Sequence, residues 1–265
     1  MKEFNSNNYV IEVQGSMRNV SAKDWDALLE AQTEPTPFMR HAYLSAMEES
    51  GSASAKSGWK LQLVTLRHAT PLQVGQLAGA AVLYIKPHSY GEYVFDWAWA
   101  DAYQRHGLNY YPKAVSAVPF TPVPGSRLLA DSSQSQSALL SAMVELAQNE
   151  DWSSLHLLFL SNDDLQVTET AGWLSRHTVQ FHWHNAAYDD FEDFLRALNQ
   201  EKRKKIKQER RKVAEAGVIF KAFEGAQIQS EDWDFFYQCY AQTYFEHGNA
   251  PYLNRDFFQR MHALE

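Results

Sequence analysis

The sequence predicts a mixed α/β fold, and three of its features lead to that prediction. Short β-branched or apolar stretches alternate along the chain with longer stretches of helical periodicity. Apolar residues make up 45% and charged residues 21% of the 265 residues, which is the balance of a globular protein. No apolar stretch approaches the ~18 residues that a membrane-spanning helix needs, so we expect a protein that is not integral to a membrane.

Six short stretches are predicted to be strands, because they are apolar and rich in β-branched or aromatic residues. Two of them, at 77–85 and 155–160, are nearly continuous apolar runs, as is typical of strands buried on both faces. In chain order, the predicted strands are residues 9–13, 61–66, 77–85, 155–160, 179–184 and 218–223.

The predicted helices follow from their start and stop signals and from apolar side chains at helical spacing. Ser21 and Asp24 have the spacing of a capping box, and Pro37 suits the first turn of a helix. Gly217 suits a C-terminal cap after a stretch that forms one long helix or two. In chain order, the predicted helices are residues 22–31, 37–51, 137–147, 165–171 and 189–217, and one that begins at 232.

The charges are distributed unevenly along the chain. Its 24 Lys and Arg residues and 32 Asp and Glu residues give a net charge of −8. Residues 202–212 carry +7 of their own, so the rest of the chain carries −15. This distribution argues against a globally basic nucleic-acid binder and favours one local anion-binding strip. The charged residues of the strip are Lys202, Arg203, Lys204, Lys205, Lys207, Glu209, Arg210, Arg211 and Lys212.

Four basic residues of this strip share one helix face and form the candidate polyanion site. They follow each other at i, i+4, i+7 and i+8, and they are Arg203, Lys207, Arg210 and Arg211. One interpretation is a surface that binds a polyanion, such as RNA, a nucleotide or a phosphorylated lipid carrier. The other is a solvated helix face whose charges are balanced by neighbouring glutamates.

Disulfide and metal chemistry have little support in the sequence. Cys239 is the single cysteine, which excludes an internal disulfide and a cysteine-cluster metal site. His182 and His184 alternate on a predicted strand, but no carboxylate follows at ligand-like spacing, and we expect no bound metal. The N-terminal residues lack the apolar region of a secretory signal, so a cytoplasmic protein is expected.

The densest group of polar and aromatic residues lies at 84–124. Its Pro, Gly and aromatic content suits the loop-rich wall of a cleft, where burial would raise carboxyl pKa values toward those useful for proton transfer. The alternative is an edge strand and loop whose rings pack while the acids stay exposed. The candidate catalytic residues are Glu92, Asp96, Asp101 and Tyr103. The candidate substrate-binding residues are His88, Tyr90, Trp97, Trp99, Tyr110, Tyr111 and Lys113.

The end of the chain repeats its beginning. The tripeptide Asp-Trp-Asp occurs at 24–26 and 232–234, and each copy follows a predicted strand and opens a predicted helix. In both copies a proline follows, with a methionine ten residues after it. We therefore expect one lobe over 1–188 and, over 189–265, a basic helix with the β-α-α opening of a second lobe. That second lobe would be incomplete, so the chain is expected to be a fragment or a shortened form of a two-lobe protein.

Several segments together resemble the signature of a bacterial family labelled peptidoglycan biosynthesis/recognition, which is Fem-like and belongs to the GNAT acyltransferase superfamily. The longest matching block, at 86–103, reads KPHSYGEYVFDWAWADAY. Two further blocks read LNYYPK at 108–113 and VPFTPV at 118–123. Shorter matches lie at 37–38, 48–51, 181–183, 193–195 and 202–206.

The resemblance implies tandem GNAT-like lobes, each a mixed, mostly antiparallel sheet flanked by helices. It also implies transfer of an acyl or aminoacyl group to an amine. The donor would be acyl-CoA or aminoacyl-tRNA, and the acceptor a small-molecule amine or a cell-wall precursor. The loop before the helix at 137–147 lacks the usual Gly-rich pyrophosphate cradle, so acyl-CoA follows from the resemblance alone.

Such a reaction needs a base for the ammonium group and an acid for the leaving group. One of the three candidate acids would be the base, one of the tyrosines at 103, 110 and 111 would protonate the leaving group, and Lys113 would hold an anionic substrate group. The alternative function is a non-catalytic recognition module that binds tRNA or a wall precursor through the helix at 202–212. The sequence does not indicate an oligomeric state.

Overall fold

The computed structural model describes residues 2–6, 8–94 and 96–264. The chain divides into two compact units. The first unit combines Met1–Ser175 with Gln229–Glu265, and the second unit is Arg176–Ile228. The C-terminal residues belong to the first unit because their aromatic side chains join its hydrophobic core.

A seven-stranded sheet forms the centre of the first unit. The strands are β1 (Lys2–Ser6), β2 (Tyr9–Gln14), β3 (Lys60–His68), β4 (Leu77–Lys86), β5 (Lys113–Ser116), β6 (Leu129–Ala130) and β7 (Leu155–Leu157). Their spatial order is β1-β2-β3-β4-β5-β7, and β6 pairs with β4 beside β5. The described strand pairs are antiparallel except β5 with β7, which is parallel. The predicted mixed and mostly antiparallel sheet is confirmed.

Helices of the first unit flank the sheet on both faces, and the second unit contributes two more helices. In chain order, the α-helices are α1 (Ala22–Glu30), α2 (His41–Glu49), α3 (Trp97–Arg105), α4 (Ser133–Asn149), α5 (Asn162–Thr170), α6 (Phe191–Ala197), α7 (Gln200–Glu215), α8 (Ser230–Glu246) and α9 (Arg255–His262). The helix α1 begins as predicted, because the Ser21 hydroxyl accepts a hydrogen bond from the backbone N–H of Asp24. Pro37 opens a short 3-10 turn that leads into α2.

Alternate residues of the central strands supply two hydrophobic cores, one on each face of the sheet. Leu61 and Leu63 of β3 pack with α1, α2 and α9 on one face. Val64 and Leu66 pack with α4 on the other face. The strand β4 is buried along almost its whole length because both faces of the sheet are covered.

The second unit contains the helices α6 and α7 and connecting coil. Asn199 caps α7, and its side chain accepts a hydrogen bond from the backbone N–H of Lys202. Gly217 follows the end of α7 with φ +72°, a left-handed conformation that glycine adopts without a Cβ penalty. The predicted basic helix is thus present, as the second of a pair.

Two predicted strands in the second unit are wrong. Residues 179–184 and 218–223 are coil, and most of their apolar side chains are exposed. A strand pattern predicts a strand only where a partner completes the ladder of backbone hydrogen bonds, and the described residues provide none for these two segments. Conversely, β1, α3 and β5 were not predicted.

The two Asp-Trp-Asp segments both open helices, α1 and α8, as expected. Trp25 is fully buried and its indole N–H donates to the Met39 carbonyl at 2.8 Å. Trp233 is partly buried and packs against the same core. The predicted lobe boundary at 188/189 does not coincide with the division in the structure, since the helices α8 and α9 pack on the first unit. The duplication itself stays a prediction.

Candidate functional site

The candidate site lies at the end of strand β4 and the start of strand β5. Lys86 is the last residue of β4 and Lys113 is the first of β5, and the two lysines face each other across the antiparallel ladder. Residues directly opposite in such a ladder point to the same face of the sheet. The connection between the two strands places Ser89, Glu92 and Asp96 next to this pair of lysines. We call Lys86, Ser89, Glu92, Asp96 and Lys113 the charged cluster.

Lys113 is the centre of the charged cluster. Its Nζ donates hydrogen bonds to Ser89 Oγ and to Glu92 Oε2, both at 2.8 Å, and to Asp96 Oδ2. Both ion pairs are almost completely removed from solvent. Burying charges costs several kcal/mol per ion unless they are paired and hydrogen-bonded, so this geometry offsets a large desolvation penalty.

Asp96 occupies the N-cap position of α3 but does not cap the helix. Aspartate is a favoured N-cap residue because its carboxylate can accept the free backbone N–H groups of the first turn. Here the Oδ2 atom accepts instead from Lys113, from the Tyr110 hydroxyl at 2.8 Å and from Ser89 Oγ at 2.9 Å. The helix therefore has no side-chain cap from Asp96, and the carboxylate is instead held in place within the charged cluster.

Lys86 has a different environment from its neighbour. Its Nζ donates to the Tyr90 carbonyl at 3.1 Å and lies 3.6 Å from the centre of the Trp59 ring. The side chain is fully buried, and no carboxylate of the described residues forms an ion pair with it. Burial therefore lowers the pKa of Lys86 to about 7, although the nearby Glu92 opposes the shift.

The pKa values of the two acids of the charged cluster are shifted in opposite directions. Burial raises the pKa of Glu92 above its ordinary value, and the attraction of Lys113 reverses only part of that shift. Burial also acts on Asp96, but the hydrogen bond from Lys113 and those from two hydroxyl groups outweigh it and lower its pKa. Two carboxylates whose environments separate their pKa values are typical of a proton-transfer site.

Two carboxylate oxygens of the cluster are buried without a hydrogen-bond partner among the described residues. They are Glu92 Oε1 and Asp96 Oδ1. An unpaired buried acceptor costs roughly 1–3 kcal/mol, which is why such atoms are rare in stable proteins. Two of them in one cluster indicate a place for a hydrogen-bond donor that the protein does not itself supply, such as an ammonium group or water.

The loops around the cluster have unusual backbone conformations. Tyr93 and Phe120 have φ values of 57° and 59°, a left-handed conformation that is rare for bulky residues. Gly91 also has a positive φ, and a Cβ there would lie 2.6 Å from the Phe120 ring. Backbone strain of this kind costs of order 1–3 kcal/mol and concentrates at functional sites. The strain supports a functional role for this end of the sheet.

Aromatic rings lie at the surface beside the charged cluster. The Tyr90 ring is 5.2 Å from His88 and 6.2 Å from Trp97, and both Tyr90 and Trp97 are exposed. Trp99 is exposed on the same helix, α3. Exposed aromatic groups near buried charges offer flat apolar surfaces that could hold a substrate.

The structure brings five of the eleven predicted catalytic and substrate-binding residues together. Glu92, Asp96, Tyr110, Tyr111 and Lys113 meet in or beside the charged cluster, where the Tyr111 hydroxyl lies 2.8 Å from Ser89 Oγ.

Two of the predicted catalytic residues lie outside the charged cluster. Asp101 is 61% exposed on α3 and forms an ion pair with Arg105 at 2.7 Å, so it is not placed to act as a base at this site. The Tyr103 ring packs against the Tyr110 ring, with 5.1 Å between the ring centres. Among the described residues, Tyr103 makes no contact with the charged groups.

Three residues of the site were not assigned a role from the sequence. Lys86 and Ser89 lie inside the stretch that was singled out, but nothing in their spacing shows that they meet Lys113. Trp59 lies far away in the sequence and joins the site through the sheet. Whether these residues meet depends on the register of β4 against β5. That register could not be predicted, because β5 itself was not predicted.

A cavity of about 960 Å³ lies beside the start of α4, and none of the predicted site residues lines it. Three acids, Asp131, Glu145 and Asp163, are among its lining residues, which include no Lys or Arg in the described chain. Ser132 already caps the helix through the backbone N–H of Ser135. The three acids make this cavity unfavourable for an anion such as the pyrophosphate of an acyl-CoA.

The predicted polyanion-binding residues lie on α7 in the second unit. Lys207 forms an ion pair with Glu192, and Arg211 lies 3.7 Å from Glu215. The Arg210 guanidinium stacks on the Phe191 ring at 4.2 Å. Arg203 is half-buried and shares the groove of α7 that contains Lys207 and Arg211. Three of the four residues are therefore on one face, and Arg210 turns toward the aromatic side.

Two structural features are absent from the described residues. These residues contain no helix that is long and apolar enough to cross a membrane. They also contain no group of three or more His, Cys, Asp or Glu side chains positioned to hold a metal ion.

The chain belongs to the FemAB-like family, described as peptidoglycan biosynthesis/recognition, whose sequence profile matches residues 16–264. The match spans both compact units and confirms the resemblance seen in the sequence. No curated protein matches the sequence. The family places the chain in the synthesis or recognition of peptidoglycan, and its description names no substrate or donor.

Two solved structures show distant similarity. A ribosomal-protein-alanine N-acetyltransferase from Brucella melitensis biovar Abortus 2308 is 14% identical with a TM-score of 0.36, and the match covers 65% of this chain and 99% of that one. An acetyltransferase from Trypanosoma brucei is 16% identical with a TM-score of 0.32, and the match covers 66% of this chain and 99% of that one.

Proposed function

We propose that the protein is an N-acyltransferase that transfers an acyl or aminoacyl group to the amine of a cell-wall precursor, with the charged cluster as its catalytic centre. The observation that carries the proposal is Glu92, a buried carboxyl with a raised pKa and an unpaired oxygen. The family membership supports the cell-wall acceptor. The donor, acyl-CoA or aminoacyl-tRNA, is part of the proposal, although the cavity beside α4 does not favour acyl-CoA.

The chemistry begins with the acceptor in its ammonium form. An ammonium group that donates to Glu92 Oε1 and Asp96 Oδ1 would satisfy both unpaired oxygens. Glu92 accepts one proton, and the nitrogen lone pair attacks the acyl carbon of the donor. The bond to the donor oxygen or sulfur then breaks, a second proton leaves the nitrogen and replaces the one given to the leaving group, and Glu92 releases its proton to solvent before the next cycle.

The remaining residues of the cluster have supporting roles in the proposal. Asp96 stays ionised because its pKa is lowered, and it holds the Lys113 ammonium next to Glu92. Tyr111, hydrogen-bonded to Ser89, is the candidate donor of a proton to the leaving group. Glu92 is only 3% exposed, so substrate binding must move the strained turn that contains it.

The test is an amide-forming assay with the whole chain. Acetyl-CoA and an aminoacyl-tRNA are offered as donors, amines that include a peptidoglycan stem peptide as acceptors, and the N-acylated product is measured by mass spectrometry. We expect product from the parent and a loss of about 100-fold or more in E92Q, which is the usual contribution of a general base.

The matched control is D101N, which also replaces a carboxylate by its amide in the same segment. Asp101 is exposed and outside the charged cluster, so D101N should retain the activity of the parent. Thermal unfolding of all three proteins separates loss of catalysis from loss of folding. The proposal is wrong if E92Q is as active as D101N, or if no donor and amine pair gives product.

A further inference from the structure

The second unit differs in charge from the rest of the protein. Arg176–Ile228 contains eleven Lys and Arg against eight Asp and Glu, a formal charge of +3, whereas the rest of the chain carries −11. An anionic surface would therefore repel the first unit and attract the second. The attraction depends on how the cations of the second unit are arranged.

Four cations line a shallow groove along one face of α7. They are Arg203, Lys204, Lys207 and Arg211, and they share the groove with Gln200 and Gln208 and with no acid. The face thus differs from the predicted one, since Lys204 replaces Arg210. The ion pairs of Lys207 and Arg211 with glutamates are exposed and therefore weak, so an anionic partner with several charges can displace them.

An aromatic cluster adjoins this basic face. The rings of Trp183, Tyr188 and Phe191 all lie within 6.1 Å of Phe194, and Arg210 stacks on Phe191. Apolar side chains of the same unit extend into solvent on either side of it in the sequence. Phe181 is 97%, Ile219 82% and Phe220 83% exposed. A group of large exposed apolar side chains within one small unit favours an interaction surface.

We propose that the second unit is a peripheral membrane-binding element that attaches the protein to anionic lipid bilayers. The basic face of α7 would contact lipid phosphates, and the exposed apolar residues would enter the boundary between head groups and acyl chains. Trp and Phe beside Lys and Arg are the residue types that proteins place at this boundary. This inference does not depend on the proposed catalytic role of Glu92.

Lipid fits this surface better than RNA does. Single-stranded RNA would gain from the exposed rings, on which its bases can stack, and from the cations. It would gain nothing from the exposed aliphatic side chains of Val179, Val218 and Ile219, which have no ring to stack on a base. A bilayer gains from both kinds of apolar group, because burial of any apolar surface is favourable.

The experiment is co-sedimentation of the whole chain with vesicles of phosphatidylcholine, with and without phosphatidylglycerol. We expect binding only to the vesicles that contain phosphatidylglycerol, and weaker binding at higher salt. The variant R203Q/K204Q/K207Q/R211Q keeps good helix formers and should bind about 30- to 100-fold more weakly. Each basic residue near an anionic surface contributes about fivefold, and two of the four are partly offset by glutamates.

Two further variants make the result specific. The variant K23Q/K56Q/K60Q/R105Q removes the same charge from exposed positions of the first unit and should bind like the parent. The variant F181S/W183S should lose the binding that remains at high salt, because that part is apolar.

The proposal is overturned if phosphatidylglycerol does not promote binding, or if the two charge variants lose binding equally. It is also overturned if F181S/W183S binds like the parent at all salt concentrations. The same applies if the chain binds single-stranded RNA through the α7 cations but does not bind vesicles.

Discussion

Lys86 and Lys113 lie opposite each other on paired strands, yet their ammonium groups have different surroundings. Lys113 donates to two carboxylates, whereas Lys86 has an indole ring and one backbone carbonyl. Desolvation therefore dominates at Lys86, and its pKa falls to about 7. A lysine in this state can lose its proton near neutral pH, so the cluster around Glu92 can hold a variable number of protons.

The lowered pKa of Lys86 predicts a pH-dependent effect on stability. Between about pH 7 and 10, the unfolded chain keeps a proton on Lys86 that the folded chain has lost. The free energy of unfolding of the parent, minus that of K86M, should therefore rise across this range. Urea unfolding of both proteins at several pH values measures the difference. A difference that stays constant with pH would show that Lys86 keeps an ordinary pKa.

At the scale of elements, buried hydrogen bonds around Arg127 and Asp164 fix the connection between β5 and α4. Asp164 of α5 accepts hydrogen bonds from the backbone N–H groups of Arg127 and Leu128 and from Gln136. The buried Arg127 guanidinium donates to backbone carbonyls, including that of Leu158. These bonds join two segments of the sheet edge beyond the point where β5 and β7 separate.

Removing the Asp164 carboxylate should destabilise the protein strongly. In D164A three buried donors lose their acceptor and the buried Arg127 loses the attraction of the carboxylate, so we expect a loss of about 3–5 kcal/mol. The neighbouring Asp163 is exposed, and D163A should change the free energy of unfolding by less than about 1 kcal/mol. Chemical denaturation gives both values. Equal effects of the two substitutions would contradict the account of this connection.

The elements also show what could be predicted from the sequence. The strands β2, β3 and β4 and the helix α1 were predicted because their apolar spacing or capping signals are local. The strand β5 was missed because its four residues, including a buried lysine, form no apolar pattern. Glu92, Asp96 and Lys113 were singled out by residue type, but their placement beside Lys86 depends on strand register. Residues 179–184 have a strand pattern without a partner strand.

At the scale of the whole molecule, the C-terminal helices complete the first unit. Phe257 and Phe258 of α9 are buried against α2, where Phe257 and Tyr43 meet at 5.6 Å between ring centres. The FemAB-like family match extends over this part of the chain as well. The helices α1 and α2 and the C-terminal helix α9 therefore contribute to one hydrophobic core.

This packing predicts unequal effects for two phenylalanines of the C-terminal helices. Phe257 is 3% exposed, and F257A should lower the free energy of unfolding by about 3–5 kcal/mol. Phe245 is 65% exposed on α8, and F245A should change it by less than about 1 kcal/mol. Thermal or chemical unfolding compares the two variants. If F257A were as stable as F245A, the C-terminal helices would not belong to the core of the first unit.

The most direct test of the catalytic proposal is the pH dependence of single-turnover acyl transfer. Glu92 must be ionised to accept the proton of the ammonium group, and its pKa is raised by burial. The rate should therefore fall as the pH is lowered, with a midpoint above the ordinary glutamate value of about 4.5. In E92Q the rate should be about 100-fold lower and this acid limb should disappear. A midpoint at or below 4.5, or the same acid limb in E92Q, would contradict the assignment of Glu92 as the base.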